Sequence, residues 1–160
     1  MTQGMNTGQK SKYGEQAIRR AAKRVQTRGD EARRRARALG QARPDLVGWL
    51  VLHTRALSDA ARGAAWQGFE LACEVMGATL LPPVDIARLV AAQADNDELA
   101  LTIAICHPRF ADRYLRHARR LRQRALLCRL AADVAPVPAG ERAEIFLVLK
   151  TIVDVLDEAR

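Results

Sequence analysis

The chain has 160 residues, a length typical of one domain, and 49% of them are apolar, which suffices for a packed core. Aromatic residues make up only 4%, so we expect a core of Leu, Val, Ile and Ala in closely packed helices, which excludes an all-β or collagen-like fold. The formal net charge is +8, and the longest uncharged stretches, 75–84 and 99–108, are shorter than the roughly 18 residues that a membrane span needs.

The first 43 residues are predicted to form a basic, partly helical arm. Residues 1–13 are polar and too poor in apolar groups to offset the entropy of ordering, so we expect a flexible tail there. Residues 15–39 are strong helix formers, but their apolar stripe has only three large members, Ile18, Val25 and Leu39. Gly29 leaves open whether this arginine-rich segment is one helix or two.

A helical domain is predicted over 44–160, and its first half contains an apolar helix followed by a central one. Pro44 begins the apolar helix, and Ser58 is a good N-cap for a helix that runs to about Gly77. This second helix has two apolar faces and many small residues, so we expect neighbours on both sides. Pro82 then begins a short helix, and the capping-box spacing at Asp95 begins another that ends before Pro108.

Residues 110–134 are predicted to form one long helix with two distinct faces. An apolar stripe includes Ala125, Cys128 and Ala132. Five arginines cluster within about 80° of arc on the helical wheel, well away from that stripe. This arginine ridge consists of Arg109, Arg113, Arg116, Arg120 and Arg124.

The last predicted helix follows Pro136, Pro138 and Gly140 and has a broad apolar face. Its residues Ile145, Val148, Leu149, Ile152, Val153, Val155 and Leu156 belong either to the core or to a homodimer seam through 145–156. We therefore predict an all-α fold, a compact bundle of five or six helices preceded by the basic arm.

The positive charge is concentrated in two segments. Residues 1–43 contain twelve Lys and Arg against three carboxylates, a net of +9. Residues 109–129 contain eight Arg against one Asp, a net of +7, and the remainder of the chain sums to −8. Such clustering is typical of a surface that binds a polyanion, although solvated helix faces would give the same composition.

Motifs for catalysis or for a cofactor are missing from the sequence. No HExxH, CxxC, GxGxxG, P-loop or GxSxG spacing occurs, so we expect neither an enzyme nor a bound cofactor. The three cysteines, Cys73, Cys106 and Cys128, lie in apolar stretches without the spacing of a zinc site, so we expect no metal. Trp49 and Trp66 have apolar neighbours and are expected in the core rather than as platforms for base stacking.

The odd cysteine count and the polar first dozen residues favour a reducing compartment, and we expect a cytoplasmic protein without a secretory signal. A helix-turn-helix over 17–39 is a weak match, because its second helix has almost no apolar residues for docking. An arm that associates with anionic membranes is also disfavoured, since the basic helix has few large apolar residues opposite its charge.

The sequence therefore predicts a non-enzymatic, accessory or regulatory nucleic-acid-binding protein, with DNA preferred over RNA. The alternative is a protein-protein interaction module, of an adaptor or immunity type, that docks on an acidic partner. Contacts mainly to phosphates are expected from the arm and from four members of the arginine ridge. The residues are Arg19, Arg20, Lys23, Arg24, Arg28, Arg33, Arg34, Arg35, Arg37, Arg113, Arg116, Arg120 and Arg124.

Overall fold

Helices form all the regular structure that the computed structural model describes, which is the backbone of 7–103 and 121–160 and the side chains of 14–101 and 123–160. Within these ranges the all-α prediction is confirmed. The α-helices are α1 (Thr7–Val25), α2 (Asp30–Ala42), α3 (Pro44–Thr54), α4 (Asp59–Met76), α5 (Ile86–Ile103), α6 (Leu121–Asp133) and α7 (Ala139–Glu158). A 3-10 turn, Ala78–Leu80, follows α4.

The core lies around α4 and α7. Helix α4 packs most extensively against α7 and also contacts α1, α3 and α6, so its predicted central position is confirmed. Helix α7 contacts α3, α4, α5 and α6. The residues of its apolar face, Ile145, Leu149, Ile152 and Leu156, are fully buried within the single chain. That face is therefore covered within one chain. The homodimer through 145–156 stays a prediction, and the buried face of α7 gives it no support.

The ends of α4 are capped as its sequence predicts. The Ser58 hydroxyl oxygen accepts a hydrogen bond from the backbone N–H of Ala61, and Gly77 ends the helix with a left-handed φ of 64°. The N–H and hydroxyl of Ser58 also donate to the two carboxylate oxygens of Glu141, at 2.6 and 2.7 Å. These bonds join the first turns of α4 and α7 and lower the pKa of Glu141.

The two tryptophans anchor different parts of the domain. Trp49 is 5% exposed, so its predicted core position is confirmed. Trp66 is half-buried, and its indole N–H donates to the Glu70 carboxylate at 3.0 Å. Its ring also packs against Phe69, with the ring centroids 5.5 Å apart.

Helix α5 is continuous, so the prediction of two separate helices between Pro82 and Pro108 is wrong for the described residues. The backbone is helical from Ile86 to Ile103 without a break at Asp95. Asn96 is 3% exposed and donates to the Thr151 hydroxyl at 3.0 Å, while its own oxygen accepts from Lys150 at 2.9 Å. Buried amides are hydrogen-bonded in folded proteins, and these partners on α7 favour a continuous helix at the point where the local capping signals favour a new helix.

The arginine-rich segment forms two helices, which resolves the alternatives left open by Gly29. Helix α1 ends at Val25, α2 begins at Asp30, and Gly29 has a φ of 80° between them. The backbone is helical from Thr7, inside the range 1–13 where we predicted a flexible tail. Once a helix is nucleated, each added residue gains a hydrogen bond, so polar residues can extend it.

The buried face of α6 differs from the predicted stripe. Cys128 and Ala132 are exposed, whereas Leu126, Leu127, Leu130 and Val134 are at most 1% exposed. Three leucines and a valine bury more apolar area than two alanines and a cysteine, so packing selects their side of the helix. Residues 104–120, which include the first eleven residues of the long helix predicted over 110–134, lie outside the described residues.

Arg43 connects three segments of the chain through a buried ion pair. Its side chain is 1% exposed, and its Nε and Nη2 donate to the Asp45 carboxylate at 3.1 and 2.7 Å. Its Nη1 donates to the carbonyl of Ala78 at 2.7 Å, and Asp45 also accepts from the backbone N–H of Val84 at 2.8 Å. The last residue of the predicted arm thus packs inside the body, and the domain boundary at residue 44 stays a prediction.

Replacing Gly68 tests the close packing of α4 against α6 and α7. An added Cβ would lie 2.5 Å from Leu149 Cδ1 and 3.3 Å from Leu130 Cδ2. We predict that Gly68→Ala lowers the free energy of unfolding by about 1 kcal/mol, since overpacking outweighs the gain in helix propensity. The control, Gly63→Ala on the same helix, has no atom within 4 Å of the new Cβ and should raise stability. Urea denaturation of both variants measures this, and equal effects would contradict close packing at Gly68.

The Arg43–Asp45 pair predicts a pH dependence of stability. Burial raises the pKa of Asp45, but the hydrogen bonds from Arg43 and from the backbone N–H groups of Val84 and Leu46 outweigh it, so its pKa lies below the ordinary value. A carboxyl with a depressed folded pKa stabilises the fold above its unfolded pKa, and this contribution is lost as the pH falls through the folded value. We predict that Asp45→Asn is less stable at pH 7 and loses less stability below about pH 4 than the wild type. An equally steep acid loss, measured by urea denaturation, would exclude this role.

Candidate nucleic-acid interface

A basic groove lies between α1 and α6. It has a volume of about 640 Å³ and is lined by residues of α1, by the residue directly after α1 and by one residue of α6: Gln16, Arg19, Arg20, Ala22, Lys23, Gln26 and Arg129. Four of these seven side chains are cationic, and no carboxylate belongs to the described lining. The groove therefore brings one residue of the second basic segment next to three residues of the first.

The docking of α1 determines which of its charges reach the groove. Ile18, Ala21 and Ala22 are buried where α1 packs on α4 and α6. On the helical wheel, the basic groove residues of α1 are centred roughly 150° from this buried stripe. Ala22 belongs both to the buried stripe and to the groove lining, so the wall of the groove begins at the edge of that stripe and extends over Arg19, Lys23 and Arg20.

Three of the groove cations lack an opposite charge in the part of the chain that the structure describes. Arg19, Arg20 and Lys23 are exposed and form no ion pair there, although Arg20 Nε donates to the Gln16 carbonyl at 3.4 Å. Arg129 donates from Nε to both carboxylate oxygens of Asp133, at 2.9 and 3.0 Å. Like charges on one helix face repel each other, and a bound anion relieves that repulsion.

Several predicted phosphate contacts have other partners in the fold. Arg24 pairs with Glu74 on α4 at 2.6 Å, and Arg33 pairs with Asp30 within α2 at 3.0 Å. Arg35 donates to the carbonyls of Val25 and Thr27 at 3.2 and 3.1 Å, so it satisfies carbonyl groups at the end of α1. Arg28, Arg34 and Arg37 are exposed but do not line the groove.

The arginine ridge falls mostly on residues about which the structure gives no description. Arg113, Arg116 and Arg120 lie outside the described residues, and Arg124 is exposed on α6 without lining the groove. Arg129 was not among the predicted contacts, because it lies off the periodic ridge. Its spacing of four from Asp133 is a sequence signal for an oriented side chain that could have identified it.

His53 and Cys73 lie in surroundings that disfavour their charged forms. His53 stacks on Trp49 with ring centroids 4.1 Å apart, and burial lowers its pKa despite the nearby Asp97 carboxylate. Burial raises the pKa of the Cys73 thiol to about 12, so that thiol stays protonated at neutral pH. Among the described side chains, no group of three or more His, Cys, Asp or Glu is placed to hold a metal ion.

The hydropathy of the helices and the comparisons with known proteins add two findings. Within the described ranges, each helix is too short or too polar to cross a membrane. Comparison with protein-family models, with curated proteins and with solved structures finds no match to this chain.

Proposed function

We propose that this protein is a non-enzymatic nucleic-acid-binding protein that contacts phosphates through the groove between α1 and α6. The observation that supports this function is the convergence of Arg19, Arg20, Lys23 and Arg129 on one concave surface. Phosphate contacts of this kind supply sequence-independent affinity, and they suit an accessory or regulatory factor. We expect duplex DNA to bind more tightly than RNA.

The composition of the groove favours phosphates over an acidic protein partner. Protein interfaces usually contain a pocket for an aromatic or aliphatic anchor residue. Here the apolar lining residue is Ala22, and the other described lining residues are cationic or amide side chains. The four cationic groups of this lining suit a chain of charged oxygens.

Strong sequence preference is not expected from this surface. Discrimination between bases comes from side chains that reach base edges or from the deformation of the duplex. The groove is lined by the second half of α1, by Gln26 directly after it and by one residue of α6. Single-strand binding relies on aromatic side chains, which the described lining of the groove lacks. We therefore expect duplexes of different sequence to bind with similar affinity.

Removing the three α1 cations tests this proposal. Each phosphate contact contributes about 0.9 to the slope of log affinity against log salt for duplex DNA. We predict that the triple variant Arg19→Gln, Arg20→Gln and Lys23→Gln binds a short duplex more weakly and with a slope smaller by up to about 3. Fluorescence anisotropy over a salt series measures both quantities.

A matched control separates the groove from net charge. The triple variant Arg55→Gln, Arg88→Gln and Arg160→Gln removes the same number of charges from exposed positions that do not line the groove. It should lower the affinity slightly and leave the slope within about 1 of the wild type. Equal losses in the two triple variants would mean that binding depends on overall charge. If neither duplex DNA nor RNA binds at low salt while polyglutamate does, the acidic-partner alternative is favoured.

A further inference from the structure

Asp133 is a carboxylate that pairs with the groove residue Arg129, so simple electrostatics predicts that it opposes the binding of an anion there. It is the last residue of α6, and both it and Arg129 have side chains that are 34% exposed. A carboxylate near the C-terminus of a helix also interacts unfavourably with the helix dipole. Charge balance on the surface therefore does not account for a carboxylate at the position of Asp133.

The hydrogen bonds of Arg129 indicate such a role. Both oxygens of Asp133 accept from one atom, Arg129 Nε, at 2.9 and 3.0 Å. The terminal nitrogens Nη1 and Nη2 make no hydrogen bond with the described part of the chain, and Arg129 lines the groove. The carboxylate thus engages the Nε side of the guanidinium and leaves the edge between Nη1 and Nη2 for a ligand.

Building on the proposed function, we propose that Asp133 is a positioning residue that orients Arg129 to bind a phosphodiester group through Nη1 and Nη2. The planar guanidinium edge matches two oxygens of a phosphate and forms two parallel, charge-assisted hydrogen bonds. A free arginine side chain would lose rotamer entropy on binding. The hydrogen bonds to Asp133 restrict the Arg129 side chain before the ligand binds, so less rotamer entropy is lost on binding. We expect this gain to exceed the repulsion between the Asp133 carboxylate and the phosphate.

The positioning role and simple repulsion predict opposite signs for the same substitution. If Asp133 only repels phosphate, Asp133→Ala raises the affinity for duplex DNA. If it orients Arg129, Asp133→Ala lowers that affinity by about five- to tenfold, the range expected when a charge-assisted hydrogen bond is weakened. Asp133→Asn retains an oxygen that accepts from Nε, so it should lose less affinity than the alanine variant.

A carboxylate on the other side of the groove supplies the matched control. Glu15 is exposed on α1, one helical turn from Arg19, and it forms no ion pair with the side chains of 14–101 and 123–160. Glu15→Ala therefore removes one negative charge without disturbing Arg129. We expect it to raise the affinity by up to about twofold, as for removal of a screened surface charge. Thermal melting of each variant verifies that all of them are folded under the conditions of the titration.

The experiment is anisotropy titration of a short duplex at fixed salt with the wild type, Glu15→Ala, Asp133→Ala, Asp133→Asn, and Arg129→Gln with and without Asp133→Ala. The expected result is weaker binding by Asp133→Ala, partial recovery in Asp133→Asn, and an increase in affinity when Asp133→Ala is added to Arg129→Gln. If Asp133→Ala binds as tightly as Glu15→Ala, Asp133 does not position Arg129, although the proposed function stands. If the wild type binds neither duplex DNA nor RNA, the proposed function fails and this inference fails with it.

Discussion

The packing of α1 on α4 and α6 determines how the basic charge of this protein is displayed. Helix α1 buries Ile18, Ala21 and Ala22, so close contact rather than a large apolar surface holds it in place. Because the helix is rigid, burial of this stripe leaves Arg19, Arg20 and Lys23 exposed, in a groove lining that they share with Arg129 on α6. The concave shape of the cationic surface is thus a consequence of core packing.

Arginines of the same basic segment serve different purposes in the fold. Arg43 is buried with Asp45 and with the carbonyl of Ala78, where its loss would leave an uncompensated carboxylate. Arg35 binds carbonyl groups at the end of α1, and Arg24 pairs with Glu74. The net charge of a segment therefore overestimates the number of groups available to a ligand, because some of them hold the helices together.

The fold class was predictable because composition, caps and apolar periodicity agree, as at Ser58 and Gly77 around the central helix. The continuity of α5 was not predictable from local sequence, because it depends on hydrogen bonds from the buried Asn96 to a helix more than fifty residues away. The buried side of α6 depends likewise on which leucines the core accepts. Three groove cations, Arg19, Arg20 and Lys23, could be predicted from the basic segment, and the spacing of Arg129 from Asp133 indicates an oriented side chain, but only the contact between α1 and α6 shows that Arg129 lies beside them.

The most direct test of the account is to map the binding surface by NMR. In a titration with a short DNA duplex, backbone and arginine Nε signals report which residues contact the ligand. If the groove binds phosphates, the changes are largest at residues 16–26, in α1 and directly after it, and on α6 around Arg129, the two sides of the groove. Changes confined to α2, or to the exposed ends of α3 and α5, would contradict the assignment of the groove as the phosphate-binding surface.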